Sequence, residues 1–194
     1  MKLCIFAGTF NPIHNAHLKM AQYALDNFGF DKILFIPAHK PPHKDYDDRM
    51  SSHRYNMVEL AIKDNKNFEI SDIEFKRDGK SYTYLTILEL YKKYNINGKI
   101  SMIIGTDAFK KIESWYETEK LKNLVDFIVF IRENELTDLN FLKEKGYNFK
   151  IADMKFEDIS STVIRNKIKN NEQLAGLMPK EAEEYIEKYG LYRN

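Results

Sequence analysis

Two apolar runs in the first 37 residues restrict the possible fold more than any other feature of the chain. Leu3 to Ala7 breaks at Gly8, and Lys32 to Pro37 ends at a proline. Each is as short as a strand and apolar enough to be buried on both faces, which is how parallel sheets read. Between them Leu18, Ala21, Leu25 and Phe28 recur at three- and four-residue intervals and Gly29 follows, the pattern of an amphipathic helix with its stop signal. Strand, helix, strand in that order is a βαβ unit with a right-handed crossover.

The remaining chain repeats this grammar. Ser51-Ser52 are expected to cap a helix running to about Asp64, with Tyr55, Val58 and Ile62 on one face. Phe68 to Phe75 alternates as a third strand, bent at Ser71-Asp72, and Ser81-Tyr82-Thr83 leads into a helix carrying Leu85, Leu88 and Tyr91. Lys99 to Ile104 is a fourth strand that ends in Gly105-Thr106-Asp107-Ala108-Phe109, and Trp115 follows in a short, broken helical region, Ser114 to Thr118. Asp126 to Ile131 is a fifth strand with Arg132 at its end; a helical segment near Leu139 to Lys145 and a short sixth strand, Phe149 to Ala152, come next. Ser160, Ser161 and Thr162 precede an apolar-periodic segment, and Pro179 opens a last helix that Gly190 closes. The expectation is an α/β chain forming one domain over residues 1–194. It is a doubly wound (Rossmann-like) parallel sheet with helices on both faces and a helical C-terminal part.

Charge and cysteine usage exclude several classes of function. With 30 Lys+Arg against 29 Asp+Glu the net charge is +1, so nothing points to nucleic acid or a membrane surface, and any basic site must be local. The single Cys4 excludes an intrachain disulfide framework and a cysteine zinc site, and its place in the first apolar run suits a buried small hydrophobe. The first apolar run is too short for a signal peptide and no stretch approaches a membrane span, so a cytoplasmic protein is expected.

Chemistry concentrates where strands stop. All five histidines, 14, 17, 39, 43 and 53, lie in the first 53 residues. His14 and His17 flank the start of the first helix, where the positive end of the dipole favours an anion and an imidazole can donate to phosphate oxygens. The loop Ala38-His39-Lys40-Pro41-Pro42-His43-Lys44 is stiff, cationic and at the carboxyl end of a strand, the edge where parallel sheets bind ligands. Arg165, one turn inside the helix that follows Ser160, can add charge to a second helix N-terminus. On residue grounds alone, Trp115 reads as a core side chain, and the two histidines read equally as surface polar groups or metal ligands.

The stretch Gly8-Thr9-Phe10-Asn11-Pro12-Ile13-His14, with His17 beyond, resembles the signature of the nucleotidylyltransferase superfamily. Pro41-Pro42-His43-Lys44, Ser81-Tyr82-Thr83, Gly105-Thr106-Asp107-Ala108-Phe109 with Trp115, and Ile159-Ser160-Ser161-Thr162 with Arg165 resemble, in order, the bacterial nicotinate-nucleotide adenylyltransferases. The likeness runs from residue 1 to about 192, with three departures: Ala7, Asn11 and Ala16 stand where that family commonly has Gly, Asp and Gly.

The resemblance implies transfer of an adenylyl group from ATP to nicotinate mononucleotide, with Mg²⁺ carried by the phosphates and a possible homo-oligomer. It implies that His14, His17 and Arg165 are catalytic. It assigns ATP to Gly8, Thr9, Phe10, His14, His17, Gly105, Asp107, Ser161, Thr162 and Arg165, the mononucleotide to Lys44, Thr83, Trp115 and Arg132, and no residue to a dedicated metal site. The alternatives are another acceptor (nicotinamide mononucleotide or phosphopantetheine), a nucleotide-binding module without catalysis, and a hydrolase with His14 and His17 as metal ligands.

Overall fold

The period-two alternation of the strands sorts their side chains onto two helical layers. In β1 (Leu3–Gly8), Cys4 and Phe6 point to one layer while Leu3 and Ile5 point to the other, all buried. The same division recurs in β2 (Lys32–Pro37), β4 (Ile100–Gly105) and β5 (Val125–Phe130). The structure, a computed structural model, describes residues 1–42, 47–131, 138–154 and 159–193.

With β3 (Phe68–Ile70) and β6 (Phe149–Ala152), these strands form one sheet in the order β3-β2-β1-β4-β5-β6. Every pairing is parallel. One layer comprises α1 (Asn15–Phe28), α2 (Asp48–Ile62), α7 (Ser161–Lys169) and α8 (Lys180–Tyr189). The other comprises α3 (Thr83–Lys93), α4 (Thr106–Phe109), a 3₁₀ turn (Ile112–Ser114), α5 (Thr118–Leu124) and α6 (Asn140–Glu144). This is the doubly wound Rossmann-like sheet that the strand pattern implied. Cys4 is fully buried, and burial pushes its thiol pKa upward, so it is packing and not a nucleophile.

Three local expectations are corrected. Ser51 and Ser52 do not cap α2: the Asp47 carboxylate accepts from the Arg49 N–H at 2.8 Å and starts the helix earlier, leaving Ser51 buried inside it. The third strand stops at Ile70, where the Ser71 N–H makes the last bond to Phe35 O, and 73–79 is turn and bend. Helix α5 has no counterpart in the sequence reading, because its two apolar residues, Leu121 and Leu124, give one three-residue interval and no repeat. Among the described residues no helix is long and apolar enough to cross a membrane.

Candidate active site

Strand order reverses between β1 and β4, so the connections leave their carboxyl ends in opposite directions and open a crevice there. Gly8 ends β1 and Gly105 ends β4 beside it. The crevice has two lobes that share Thr9 and Pro41.

The first lobe, about 660 Å³, is lined by Thr9, Asn11, His17, Arg54, Ser161, Thr162 and Arg165 among others. Its floor is the turn after β1. Phe10 takes the left-handed conformation, φ 46°, which folds its ring back over β1 to pack edge-on against Phe6. A Cβ on Gly8 would meet Phe10 Cζ at 3.0 Å, so the glycine is there for space.

His14 caps α1 and His17 sits one turn in, their rings stacked with centroids 3.6 Å apart. The His14 N–H donates to His17 Nδ1 at 3.2 Å, in the manner of a capping box with a histidine as its third residue. An accepting Nδ1 carries no proton, so neutral His17 must hold its hydrogen on Nε2. Burial, and next the proximity of His14, hold the His17 pKa well below the ordinary histidine value, so the ring is a neutral donor at pH 7.

The cations of this lobe are fixed by the backbone. Arg165 Nη1 donates to Asn11 O at 2.8 Å and its Nη2 to Thr162 Oγ1 at 3.3 Å, while Ser161 Oγ donates to Pro12 O at 2.8 Å. Arg54 is buried and donates to Thr9 O and Ala38 O, both at 2.6 Å, and to Ser51 Oγ at 2.9 Å. It thus joins the loops that follow β1 and β2. Tyr192 Oη donates to Asn11 Oδ1 at 2.7 Å; burial raises its pKa against the pull of Arg54 and Arg165, so the phenol stays protonated.

The second lobe, about 720 Å³, is lined by Gly8, Tyr82, Thr83, Gly105, Asp107, Lys111, Trp115 and Tyr116 among others. Helix α3 begins here at Thr83 with no side-chain cap on its first turn, so the positive end of its dipole belongs to the lobe. Trp115 is half-buried, one side on the core and the other on the lobe, and Tyr82 stacks on Tyr116 at 4.6 Å. Ser81 and Lys40 are bonded twice, Ser81 N–H to Lys40 O at 2.9 Å and Lys40 N–H to Ser81 Oγ at 3.0 Å, which ties this lobe to the loop after β2.

Residues 5–167 match the cytidylyltransferase-like family model. Over its whole length the chain is 38% identical to the nicotinate-nucleotide adenylyltransferase of Bacillus subtilis, with 99% of that protein covered. The chain belongs to the nicotinate-nucleotide adenylyltransferase family. A relative from Fusobacterium nucleatum named as a probable nicotinate-nucleotide adenylyltransferase is 41% identical, covering 97% of this chain and 98% of that one. The Plasmodium falciparum nicotinic acid mononucleotide adenylyltransferase, solved in complex with NaAD, shares the fold with a TM-score of 0.79 at 24% identity, covering 98% and 97% of the two chains.

In this family member the structure brings Thr9, Phe10, His17, Ser161, Thr162 and Arg165 to one lobe, and Gly8, Gly105, Asp107, Thr83 and Trp115 to the other, with Thr9 common to both. His14 is 5% exposed and lies behind His17 without lining either lobe. Gly105 and Asp107, expected beside the adenosine, share the lobe of Thr83 and Trp115. The anion-binding ability expected at the start of α1 is partly used up: the Asn15 N–H donates to Leu177 O and the His17 N–H to His14 O. Ala16 is buried in the α1 layer of the core, so its methyl does not intrude on the lobe. Lys44 and Arg132 lie outside the described residues. Sequence reasoning missed Arg54 and Tyr192. A signal for the first existed, since Arg54, Val58 and Ile62 fall at four-residue spacing on the buried face of α2.

Proposed function

We propose that this chain joins nicotinate mononucleotide to ATP, giving nicotinate adenine dinucleotide (deamido-NAD) and pyrophosphate in NAD biosynthesis, with residues 1–194 acting as one nucleotidylyltransferase domain. The observation that carries the reading is the joined pair of lobes, one lined with donors suited to a polyphosphate and one with an aromatic wall suited to a ring. The names of the full-length relatives support the same substrates.

The mononucleotide's 5′-phosphate oxygen attacks the α-phosphorus of ATP; a new P–O bond forms there as the bond to the β-phosphate's bridging oxygen breaks, and pyrophosphate leaves with the electron pair. The nucleophile is already an anion at pH 7, so no strong base is required. The barrier lies in bringing polyanions together and stabilising charge at the reacting phosphorus.

The roles follow from position. His17 Nε2–H is the neutral donor to the reacting phosphate, and His14 holds its ring in that orientation from behind. Arg165, Ser161 and Thr162 take the β- and γ-phosphates at the start of α7, with backbone N–H groups of Thr9 and Phe10 opposite. Gly8 and Thr9 lie where the lobes meet, the place for the α-phosphorus. Gly105 at the end of β4 and Asp107 in α4 serve the adenosine ribose, which requires ATP to extend across that junction. Trp115 stacks on the pyridine and Thr83 bonds to its carboxylate, while Lys44 and Arg132, outside the described residues, are candidates for the mononucleotide phosphate on the family resemblance alone.

Mg²⁺ carried on the triphosphate would shield its charge, and it needs few protein ligands. A zinc-hydrolase reading fits poorly, since Nδ1 of His17 is already an acceptor. The test is pyrophosphate release from ATP·Mg²⁺ with nicotinate mononucleotide, nicotinamide mononucleotide and phosphopantetheine in separate reactions, with and without EDTA. Release with nicotinate mononucleotide, abolished by EDTA and restored by Mg²⁺, is expected. Release with phosphopantetheine alone, or with no acceptor, refutes the reading.

A further inference from the structure

We propose that Lys111 sets the preference for an acidic over an amide ring in the acceptor lobe, by pairing with the ring carboxylate. The proposal rests on the substrate reading above and deepens it.

Lys111 and Trp115 are the two flanking residues of the 3₁₀ turn, Ile112–Ser114, and both line the acceptor lobe. The backbone between them is held by the Trp115 N–H to Ile112 O at 3.0 Å and by the Ser114 hydroxyl to Lys111 O at 2.7 Å. A ring stacked on the indole therefore brings its own substituent within the compass of an ammonium carried by the same turn. The acceptor's phosphate is a ribose away from that ring and falls toward Thr9, where the lobes meet.

Charge balance points the same way. Among the described lining residues of this lobe the ionisable acids are Glu74 and Asp107, and Lys111 is the one cation. Glu74 is buried, with Oε1 accepting from Thr86 Oγ1 at 2.7 Å, and cannot turn away. A ring carboxylate entering beside Asp107 meets repulsion that a neutral carboxamide does not, while burial pushes Glu74 toward its neutral form. Lys111 offsets that repulsion and adds to the uncapped start of α3. An exposed ammonium on a flexible stem can reach an incoming carboxylate, and the pair gains strength as the ring displaces water.

The experiment measures kcat/KM for nicotinate and nicotinamide mononucleotides, at saturating ATP·Mg²⁺, in wild type and in Lys111→Arg, Lys111→Gln and Lys111→Glu. The acid-to-amide ratio is expected to fall roughly tenfold or more in Lys111→Gln, further in Lys111→Glu, and little in Lys111→Arg. A parallel fall with both acceptors overturns the proposal, because it places Lys111 on the phosphate they share or in the stability of the turn. An unchanged ratio in Lys111→Glu overturns it as well. A wild type active with neither mononucleotide refutes the substrate reading itself, whereas an active wild type with indifferent variants refutes only the role of Lys111.

Discussion

At the scale of single residues, His17 shows why a histidine is used where a lysine would supply more charge. Its Nδ1 is committed to the His14 N–H, so its Nε2–H direction is set before substrate arrives, and it adds no cation to a lobe that already holds Arg54 and Arg165. Replacing it with alanine is expected to lower turnover by ~10² or more with the fold retained, as checked by steady-state kinetics beside circular dichroism. The same side chain links stability to pH. Its folded pKa lies below the ordinary 6.5, so below pH 6.5 the unfolded chain binds a proton that the folded one does not, and stability falls with pH until the folded pKa is reached. The slope from this group is at most about 1.4 kcal/mol per pH unit, and urea unfolding of wild type and His17→Gln at pH 7, 6 and 5 should show a shallower acid loss in the variant.

At the scale of elements, α2 and the segment after α8 hold the loops from which the first lobe is built. Arg54 holds the loops after β1 and β2 by their carbonyls, and Arg54→Met leaves Thr9 O and Ala38 O without that donor. A loss of about 3 kcal/mol in unfolding free energy is expected in denaturant titrations. Tyr192→Phe removes the hydrogen bond to the side-chain Oδ1 of Asn11, a residue whose main-chain O receives Arg165, and is expected to raise the KM for ATP a few-fold while the mononucleotide's KM holds. A rise in the mononucleotide's KM alone would refute that assignment.

These elements also show what could be read from the chain. The strands of the first βαβ unit and α1 were legible to within a residue, because burial on both faces and a 3.6-residue period leave one solution each. The start of α2 was not, since Asp47 and two serines compete as caps and only packing against the loop of His39 decides, with the Ser51 hydroxyl donating to His39 O at 2.8 Å. Of the candidate site, the motif residues Thr9, Phe10, His17, Ser161, Thr162 and Arg165 line one lobe and Gly8, Thr83, Gly105, Asp107 and Trp115 the other, while His14 lines neither. Arg54 and Tyr192 were not legible, because their roles depend on carbonyls or side chains more than fifteen positions away in sequence for Ala38 and far more for Asn11.

At the scale of the whole molecule, the two lobes lie side by side at the carboxyl ends of β1 and β4 and draw their helices from opposite layers. The polyphosphate lobe draws on α1, α2 and α7, which pack on one face, and the acceptor lobe draws on α3, α4 and the 3₁₀ turn, which pack on the other. Trp115→Ala should therefore raise the KM for the mononucleotide and leave that for ATP near its wild-type value; a variant that instead unfolds would mark the indole as core only. The lobes communicate through Thr9, Pro41 and the paired bonds between Ser81 and Lys40.

That separation has a consequence for descent. Selection on what is adenylylated falls on the wall of Trp115 and Lys111, and selection on the act of adenylylation falls on the neighbouring lobe of His17 and Arg165. A lineage can rewrite the first to suit a new acceptor while the arginines and histidines of the second stay as they are. A single fold of this kind is thereby free to diversify by partner without relearning its reaction.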